Sequence, residues 1–534
     1  MRGRLVSEFD VVIVGSGAAG LVAALTVAGQ GLKPLVLEKS DLLGGSSALS
    51  GGGLWVPANP LLRGTDSADD ALRYLQETAG EDSSQERRTA FVRSGPDMVA
   101  FLLKAGLRLR WSKNYPDYHP NLPGGSTSGR CVEASLIDGD SLGPWLGKLR
   151  LRPGSTAMPF YTTEIPLLGL AKRTPRGFLT ALRVAKLRRI GRKTPLIGGA
   201  SLIGQLVKLA TDRGAEIWLN AKLEELVVHD SGVTGVVVSR DGRPEQVDAA
   251  RGVLLAAGGF AHNDDMRQKS HPQPTGTSWT MAAPTDTGEA ISLGVALGAA
   301  TALMDEAWWG PALTLPNGMS VVTLRERSFP GSIIVDSAGE RFMNESASYN
   351  ECGHRIYERG SVPSWLIIDD KHRSRYPFVM LKPGDTPEIG LLHRAPSLTA
   401  LAEKIGVPAE RLERTVARFN GFAASGADAD FHRGDTAYDR FYGDPRVKPN
   451  PNLGALDTAP YYAAAIYPGD LGTKGGLVTD EHARVLREDG SPIEGLYAAG
   501  NTTASVMGRS YPGPGCTLGA AAVFAYLGAQ HLCR

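Results

Sequence analysis

Residues Phe9–Lys39 read FDVVIVGSGAAGLVAALTVAGQGLKPLVLEK, and the order of their parts decides the fold. Val11–Val14 is a short, apolar, β-branched run, the pattern of a parallel strand buried on both faces. Gly15, Gly17 and Gly20 follow, with Ser16, Ala18 and Ala19 between them. That is the spacing of a dinucleotide-binding turn. The first glycine turns the chain, the second admits a pyrophosphate against the backbone, and the third lets helix pack on strand. A helix from Ala18 to about Gly29 aims free N–H groups and its positive end at the phosphates. A second strand ends at Glu38, 18 residues beyond Gly20, where a carboxylate accepts ribose hydroxyls. An acid there, instead of an arginine, argues against a ribose 2′-phosphate.

After Glu38, Lys39 and Ser40 the chain enters LLGGSSALSGGGLWVP, Leu42–Pro57. Ordering so glycine-rich a loop is costly unless it wraps something that needs close backbone approach. Beside a dinucleotide site, that guest is the rest of the cofactor. Gly45, Ser46, Ser47, Ser50, Gly51 and Gly52 would offer hydroxyls and amides to a pyrophosphate and a flavin ring. NAD sites do not usually carry this second wrap, so the expected cofactor is FAD. Further contacts are expected from Leu223 in the strand GAEIWLNAKLEELVV, and from Ala257 and Gly258 in RGVLLAAGGFAHN (Arg251–Asn263). Gly500 and Asn501 of GLYAAGN, with Gly515, Thr517 and Leu518 of the final glycine turn, complete the set. Small residues at the carboxyl ends of strands lie where cofactors bind in doubly wound folds.

The chain has 534 residues, enough for two or three domains. Its 57 basic and 56 acidic side chains nearly cancel, so no overall field recruits nucleic acid. The four cysteines, Cys131, Cys352, Cys516 and Cys533, form no CxxC pair or His/Cys cluster. No metal site is expected, and a reducing cytoplasm is the default compartment. The opening residues MRGRLVSEFD lack the apolar core of a signal peptide.

Organisation follows from where the nucleotide-fold signals recur. Gly198–Arg213 reads as a helix, GAEIWLNAKLEELVV as a strand and VTGVVVSRDGRPEQV as a hairpin, with Arg251–Asn263 returning to the same sheet. From about Met281 the character changes, with the two tryptophans of EAWWGPAL (Trp308, Trp309) and GSIIVDSAGERFMNESASY reading as a hairpin that runs out at Tyr349. The last stretch is again strand, glycine turn and helix. The expected fold is α/β: a Rossmann-like FAD-binding domain, discontinuous in sequence (1–279 and 447–534), with an inserted α+β capping domain over 280–446. Lys172–Lys193 carries nine basic residues and no acidic one among Phe178, Leu179, Leu182, Val184, Leu187 and Ile190. It fits a solvated linker helix, or a helix that lies on an anionic membrane surface. WSKNYPDYHPNLPGG, Trp111–Gly125, reads as a Pro/Gly-rich loop with aromatic anchors.

GSGAAG with Glu38, GGSSALSGGG, AAGGF, NESASY, GTKGGL, GLYAAGN and GRSYPGPGCTLG occur in that order. Together they resemble the FAD-dependent 3-ketosteroid Δ1-dehydrogenases of the fumarate-reductase-like flavoprotein superfamily, over nearly the whole chain. GSGAAG is shared by many flavoproteins, whereas SYPGPG is far more discriminating. Fumarate reductases carry an arginine in that loop to grip a dicarboxylate, but here the loop reads Ser510-Tyr511-Pro512-Gly513-Pro514. A phenol suits a neutral carbonyl.

The resemblance implies roles residue by residue. The Tyr511 hydroxyl and the Gly515 backbone N–H would polarise the C3 carbonyl of a 3-ketosteroid, and Tyr349 would take the C2 proton. Trp308 and Trp309 would wall an apolar substrate. The family often has Asp-Tyr-Tyr-Pro where this chain has Asp117-Tyr118-His119-Pro120, so the third catalytic position falls to Tyr118 or to His119. The chain has no second GxGxxG for a nicotinamide, so electrons would leave for a quinone-like acceptor. It has no histidine near Ser46-Ser47-Ala48, so FAD would be held non-covalently. A sister activity at the Δ4(5α) position and a fumarate-reductase-like ene reduction are the alternatives.

Overall fold

The computed structural model describes residues 8–152, 159–189, 194–230, 232–379, 381–385 and 390–534. Eleven strands and four helices position the site. They are β1 (Phe9–Val14), α1 (Ala18–Gly29), β2 (Pro34–Leu37), α2 (Pro175–Arg189), β3 (Glu216–Trp218), β4 (Ala221–His229), β5 (Gly232–Arg240) and β6 (Arg243–Leu255). After these come β7 (Ala307–Thr314), β8 (Ser332–Val335), α3 (Tyr349–Arg359), β9 (Ser364–Asp369), β10 (Tyr461–Thr473), β11 (Pro492–Ala498) and α4 (Cys516–Leu532).

The first sheet runs Arg484–Leu486, β11, β5, β6, β1, β2, β3, with β4 pairing β5. β1 lies between β2 and β6 and is parallel to both. Val11, Val12 and Ile13 are wholly buried, as a strand covered on both faces requires. α1 covers one face, and α4 lies against it. β5 and β6 form an antiparallel hairpin closed at Arg240 and Arg243. Its turn residues Asp241 and Gly242 both have positive φ, the Asp-Gly signature of a two-residue hairpin loop. Strands from both ends of the chain thus share one α/β sheet.

The second sheet runs Ser320–Val322, β7, β10, β9, β8, with His393–Ala395 on β10. β10 pairs antiparallel with both β7 and β9. It begins at Tyr461, beyond the expected boundary near Arg446, so this sheet is completed by later chain.

The expected hairpin ending at Tyr349 is not formed. β8 pairs with β9 instead, and only an isolated Val335–Arg341 bridge marks a return. The cause lies in Glu345, whose fully buried carboxylate pairs with Arg341 and Arg433. Those charges draw residues 344–348 into a loop, and Tyr349 opens α3.

The basic run does fold as a helix, α2, with Phe178, Leu179 and Leu182 each at least half exposed. Ion pairs fix its surroundings: Arg173 with Asp444 at 2.5 Å, and Arg183 with Glu164. Ile190–Lys193 lie outside the described residues. Among the described residues, no helix is long and apolar enough to cross a membrane.

Candidate active site

The carboxyl end of the first sheet forms a nucleotide cradle. Gly15 has φ +107°, and a Cβ there would sit 2.3 Å from the Ala256 carbonyl oxygen. At Gly20 it would lie 1.9 Å from the Gly15 oxygen. Only glycine allows this turn and this helix–strand approach. α1 starts with no acidic residue in its first turn, and Ala18 N–H donates to Ser47 Oγ at 3.1 Å. Glu38 accepts from Ser16 Oγ at 2.5 Å and from Ser40 N at 3.0 Å. Both bonds orient its carboxylate at the tip of β2.

The glycine–serine wrap lies across that turn. Ser46 donates to Asp286 at 2.7 Å, and Ser50 donates to the Ser47 carbonyl. Gly45 has open space where a side chain would be, whereas a Cβ at Gly52 would strike the Gly198 backbone at 2.2 Å. Gly51 would meet Thr162 at 3.4 Å. Opposite the wrap, Gly258 has φ +82° and faces the Asp286 carboxylate, and Ala257 precedes it. Gly500 has φ +72°, and its nearest neighbours are the Ala19 and Ala521 methyls. Glycine turns with left-handed φ, a helix start without acids and an oriented terminal acid together fit FAD. Two expected residues have other engagements. Lys39 binds Glu289 and Thr287, and the Leu223 side chain packs in the apolar core beneath β2.

A second group of residues collects beside the start of α4. Tyr118, Tyr349 and Tyr511 are each buried, and their ring centroids lie 5.1–5.3 Å apart. Tyr118 O–H donates to Tyr349 at 3.2 Å, and Thr517 O–H donates to Tyr511 at 3.2 Å. The Tyr438 ring packs on Tyr118, tilted by 50° with centroids 4.7 Å apart.

Hydrogen bonds staple the loops that bring these phenols together. Tyr118 N–H and the Tyr74 hydroxyl both donate to the Pro512 carbonyl, at 2.9 and 2.6 Å. His119 N–H in turn donates to the Tyr74 oxygen at 3.1 Å. Asp117 anchors the same loop through Trp55 Nε1 at 2.7 Å and Arg130 at 2.6 Å.

Gly515 is the N-cap of α4 with φ +91°. A Cβ would sit 2.5 Å from the Gly53 backbone, so no other residue fits. Its carbonyl accepts from Trp55 N and Gly519 N. Its own N–H finds no acceptor among the described residues. A free backbone donor thus stands at a helix N-terminus near the Tyr511 phenol, an arrangement suited to a developing oxyanion.

Burial holds all three phenols neutral. It drives Tyr349 and Tyr118 well above the ordinary phenol range. Tyr511 rises to about 12, where bonds with Thr517 and Tyr349 limit the increase. For Tyr349, the Tyr118 hydrogen bond pulls the other way, favouring the phenolate.

Tyr118 joins this cluster, whereas the His119 ring makes no ring contact with it. Burial lowers the His119 pKa to about 4, so the ring is neutral. The two tryptophans also part company. Trp308 lies edge-on to Tyr511 at 4.8 Å, with Nε1 donating to Asn501. Trp309 packs against His271 and Tyr357 instead. Successive strand residues face opposite sides, so both cannot wall one site. Leu518 is buried at the start of α4.

Sequence reading missed two residues here. Asp286 is buried between Ser46 and Gly258, with its pKa raised by burial to about 7. Lys474 is wholly buried behind the Tyr511 loop. Neither sits in a spacing pattern of its own, although both flank glycine-rich motifs.

The family model for the FAD binding domain matches residues 10–518. Fold and cradle therefore define the class: an FAD-binding flavoprotein. The chain is 45% identical over 550 residues to a 3-oxosteroid 1-dehydrogenase of Mycolicibacterium smegmatis, covering 98% of this chain and 96% of that one. It is 38% identical to a 4-oxocyclohexanecarboxylate 2-dehydrogenase of Sinomonas cyclohexanicum, covering 98% and 92%. The fold matches a crystal structure of 3-ketosteroid Δ1-dehydrogenase from Sterolibacterium denitrificans in complex with 1,4-androstadiene-3,17-dione. That match has a TM-score of 0.93 at 38% identity and covers 98% and 99% of the two chains. The chain belongs to the 3-oxosteroid 1-dehydrogenase family.

Proposed function

We propose that this protein removes hydrogen from C1 and C2 of a 3-ketosteroid, leaving a C1–C2 double bond conjugated with the C3 carbonyl. The single observation that carries this reading is the buried Tyr118–Tyr349–Tyr511 cluster beside the unpaired Gly515 N–H. When bound, non-covalent FAD supplies the acceptor for the hydride leaving C1. The Tyr511 O–H and Gly515 N–H donate to the C3 oxygen and hold the negative charge that grows there as the C2 proton departs. Losing one such donor typically costs about 3–4 kcal/mol of transition-state stabilisation. Tyr349, as phenolate, takes the C2 proton, and the Tyr118 hydroxyl holds that phenolate. Thr517 keeps the Tyr511 hydrogen free for the substrate by donating its own to the phenol oxygen.

The cradle residues hold the cofactor. Glu38 would accept adenosine ribose hydroxyls, and the start of α1 would meet the pyrophosphate. Gly45, Ser46, Gly258, Gly500 and Asn501 would contact the rest of the cofactor. Asp286, with its pKa raised by burial to about 7, would accept a hydrogen bond from a hydroxyl of the cofactor or donate one to it.

A carboxylated ring ketone, the substrate type named for the Sinomonas relative, is the second reading. Against it stands the tyrosine cluster: among the described residues, Tyr118, Tyr349 and Tyr511 meet aromatic rings and hydroxyls, and no arginine is hydrogen-bonded to their phenols. The decisive assay is anaerobic bleaching of the flavin by a 4-ene-3-ketosteroid, with the product identified by mass and NMR. A product unsaturated at another ring bond, bleaching by 4-oxocyclohexanecarboxylate but not by the steroid, or reduction of fumarate by the reduced flavin would overturn the assignment.

Electrons then pass to a quinone-like acceptor in a cytoplasmic setting that suits four free cysteines. α2, with Phe178, Leu179 and Leu182 exposed beside Arg176 and Lys186, rests on anionic membrane. Vesicles rich in anionic lipid should co-sediment the protein at low salt; failure to do so removes the membrane role. The capping unit begins near residue 280 and extends to β10.

A further inference from the structure

We propose that Lys474 is a positioning residue for Tyr511, its ammonium group gripping the peptide that leads into the tyrosine. This rests on the role of Tyr511 given above. Lys474 Nζ donates to the carbonyls of Arg509 and Ser510, at 2.9 and 3.0 Å. The Ser510 carbonyl belongs to the peptide whose nitrogen is that of Tyr511. On its remaining side the ammonium lies 4.5 Å over the Trp308 ring. Trp308 in turn packs on Tyr511 at 4.8 Å and donates to Asn501. One cation therefore touches both the backbone that carries Tyr511 and the aromatic wall that sets its ring.

The lysine is itself anchored. Its N–H donates to the Glu306 carbonyl at 2.9 Å, and its carbonyl accepts from Ser505 N at 3.1 Å. Among the described residues, no carboxylate lies within ion-pair distance of Nζ. Glu306 is engaged by His354 and Arg509, and Arg509 also by Asp305. A buried charge held by carbonyl dipoles and a ring, with no carboxylate in direct contact, is costly to keep. A merely space-filling role would be met by methionine. The charge strengthens the two carbonyl bonds, since charge-assisted bonds are roughly twice as strong as neutral ones. Glu306, Cys516, Arg509 and Asp82 act on it electrostatically, and burial lowers its pKa to about 8. The grip accordingly weakens as pH rises through that value.

The test compares wild type, Lys474→Met and Lys474→Arg, each purified with FAD bound. Amide hydrogen exchange of the 505–515 segment reads the tether without requiring turnover, with β1 as the reference segment. Lys474→Met should lose about tenfold or more of the protection in 505–515, the equivalent of one charge-assisted bond. Its kcat should fall about 10- to 100-fold, the cost of a displacement on the order of 1 Å, with FAD content and steroid KM within about twofold. Lys474→Arg keeps charge and donors and should recover most of the protection. Unchanged protection in Lys474→Met overturns the proposal. Lost protection with unchanged kcat overturns the link to Tyr511. If Lys474→Met does not fold, Lys474→Gln takes its place: it removes the charge and shortens the reach, and protection at 505–515 equal to wild type refutes the proposal. If wild type oxidises no steroid, the functional reading fails while the exchange result still judges the tether.

Discussion

Removing one hydroxyl, in Tyr118→Phe, tests the site where it is most specific. Tyr118 O–H donates to the Tyr349 oxygen at 3.2 Å, and both groups are buried. The bond matters little to the neutral phenol but stabilises the phenolate, and a hydrogen bond to a charged group contributes about 1.5–3 kcal/mol. At 1.36 kcal/mol per pKa unit, its loss raises the Tyr349 pKa by roughly 1–2 units. Burial already holds that pKa well above the ordinary phenol value. At neutral pH the phenolate is therefore a minor form whose share falls about 10- to 100-fold in the variant. The greater basicity of what remains returns part of that loss. The expected outcome at pH 7 is about a tenfold fall in kcat/KM. The rising alkaline limb of the profile should also move up by about one pH unit or more. The assay is dye-coupled steroid oxidation from pH 6 to pH 10, with FAD content measured in parallel. Phenylalanine keeps the ring that packs on Tyr438 and Tyr511, so folding should be unaffected. An unchanged limb with an unchanged rate would refute the role given to Tyr118 and return the position to His119.

Other perturbations separate the two halves of the site. Tyr511→Phe should lower kcat about 10²- to 10³-fold, leaving a full complement of FAD in the absorbance spectrum. Gly515→Ala meets both a left-handed φ of +91° and the Gly53 backbone at 2.5 Å. It should lose activity and about 1–3 kcal/mol of stability in thermal unfolding. Glu38→Gln should weaken FAD retention on a desalting column while leaving the steroid KM of reconstituted enzyme unchanged. In apo-protein, Asp286 has a raised folded pKa of about 7. Its stabilising contribution is therefore fully present below the ordinary carboxylate pKa and is lost as pH rises through about 7. Asp286→Asn should flatten the fall in apo-protein Tm between pH 4 and pH 8.

Legibility followed sequence distance. β1, α1, β2 and Glu38 were readable because turn, helix and acid are fixed by neighbours within 30 residues. The β5–β6 hairpin was readable from VTGVVVSRDGRPEQV because its two strands are consecutive in sequence. The tyrosines were another matter: no periodicity joins residues 118, 349 and 511, and only the family likeness singled them out. The NESASY segment misled because buried Glu345 pairs with Arg433, 88 residues further on, as well as with nearby Arg341. The adjacent tryptophans were misassigned as a pair for want of a simple rule, since neighbours on a strand cannot share a face. Asp286 and Lys474 depend on partners across the fold, Ser46 and the 509–510 carbonyls, and so left no local trace.

The order of strands in the first sheet has a consequence for biogenesis. β1 emerges from the ribosome first, yet its neighbour β6 ends only at Leu255, and β11 and α4 follow Pro492 and Cys516. At the usual pace of about 5–20 residues per second, β2 follows within seconds, but the other edge of β1 waits roughly 10–50 seconds for β6. The second sheet, whose strands span Ala307–Thr473, is available for assembly before the nucleotide sheet can close. Cofactor capture is therefore a late event, after nearly all of the chain has been made. Slow induction, chaperone supply and riboflavin feeding should then govern the yield of yellow protein more than any change to its surface.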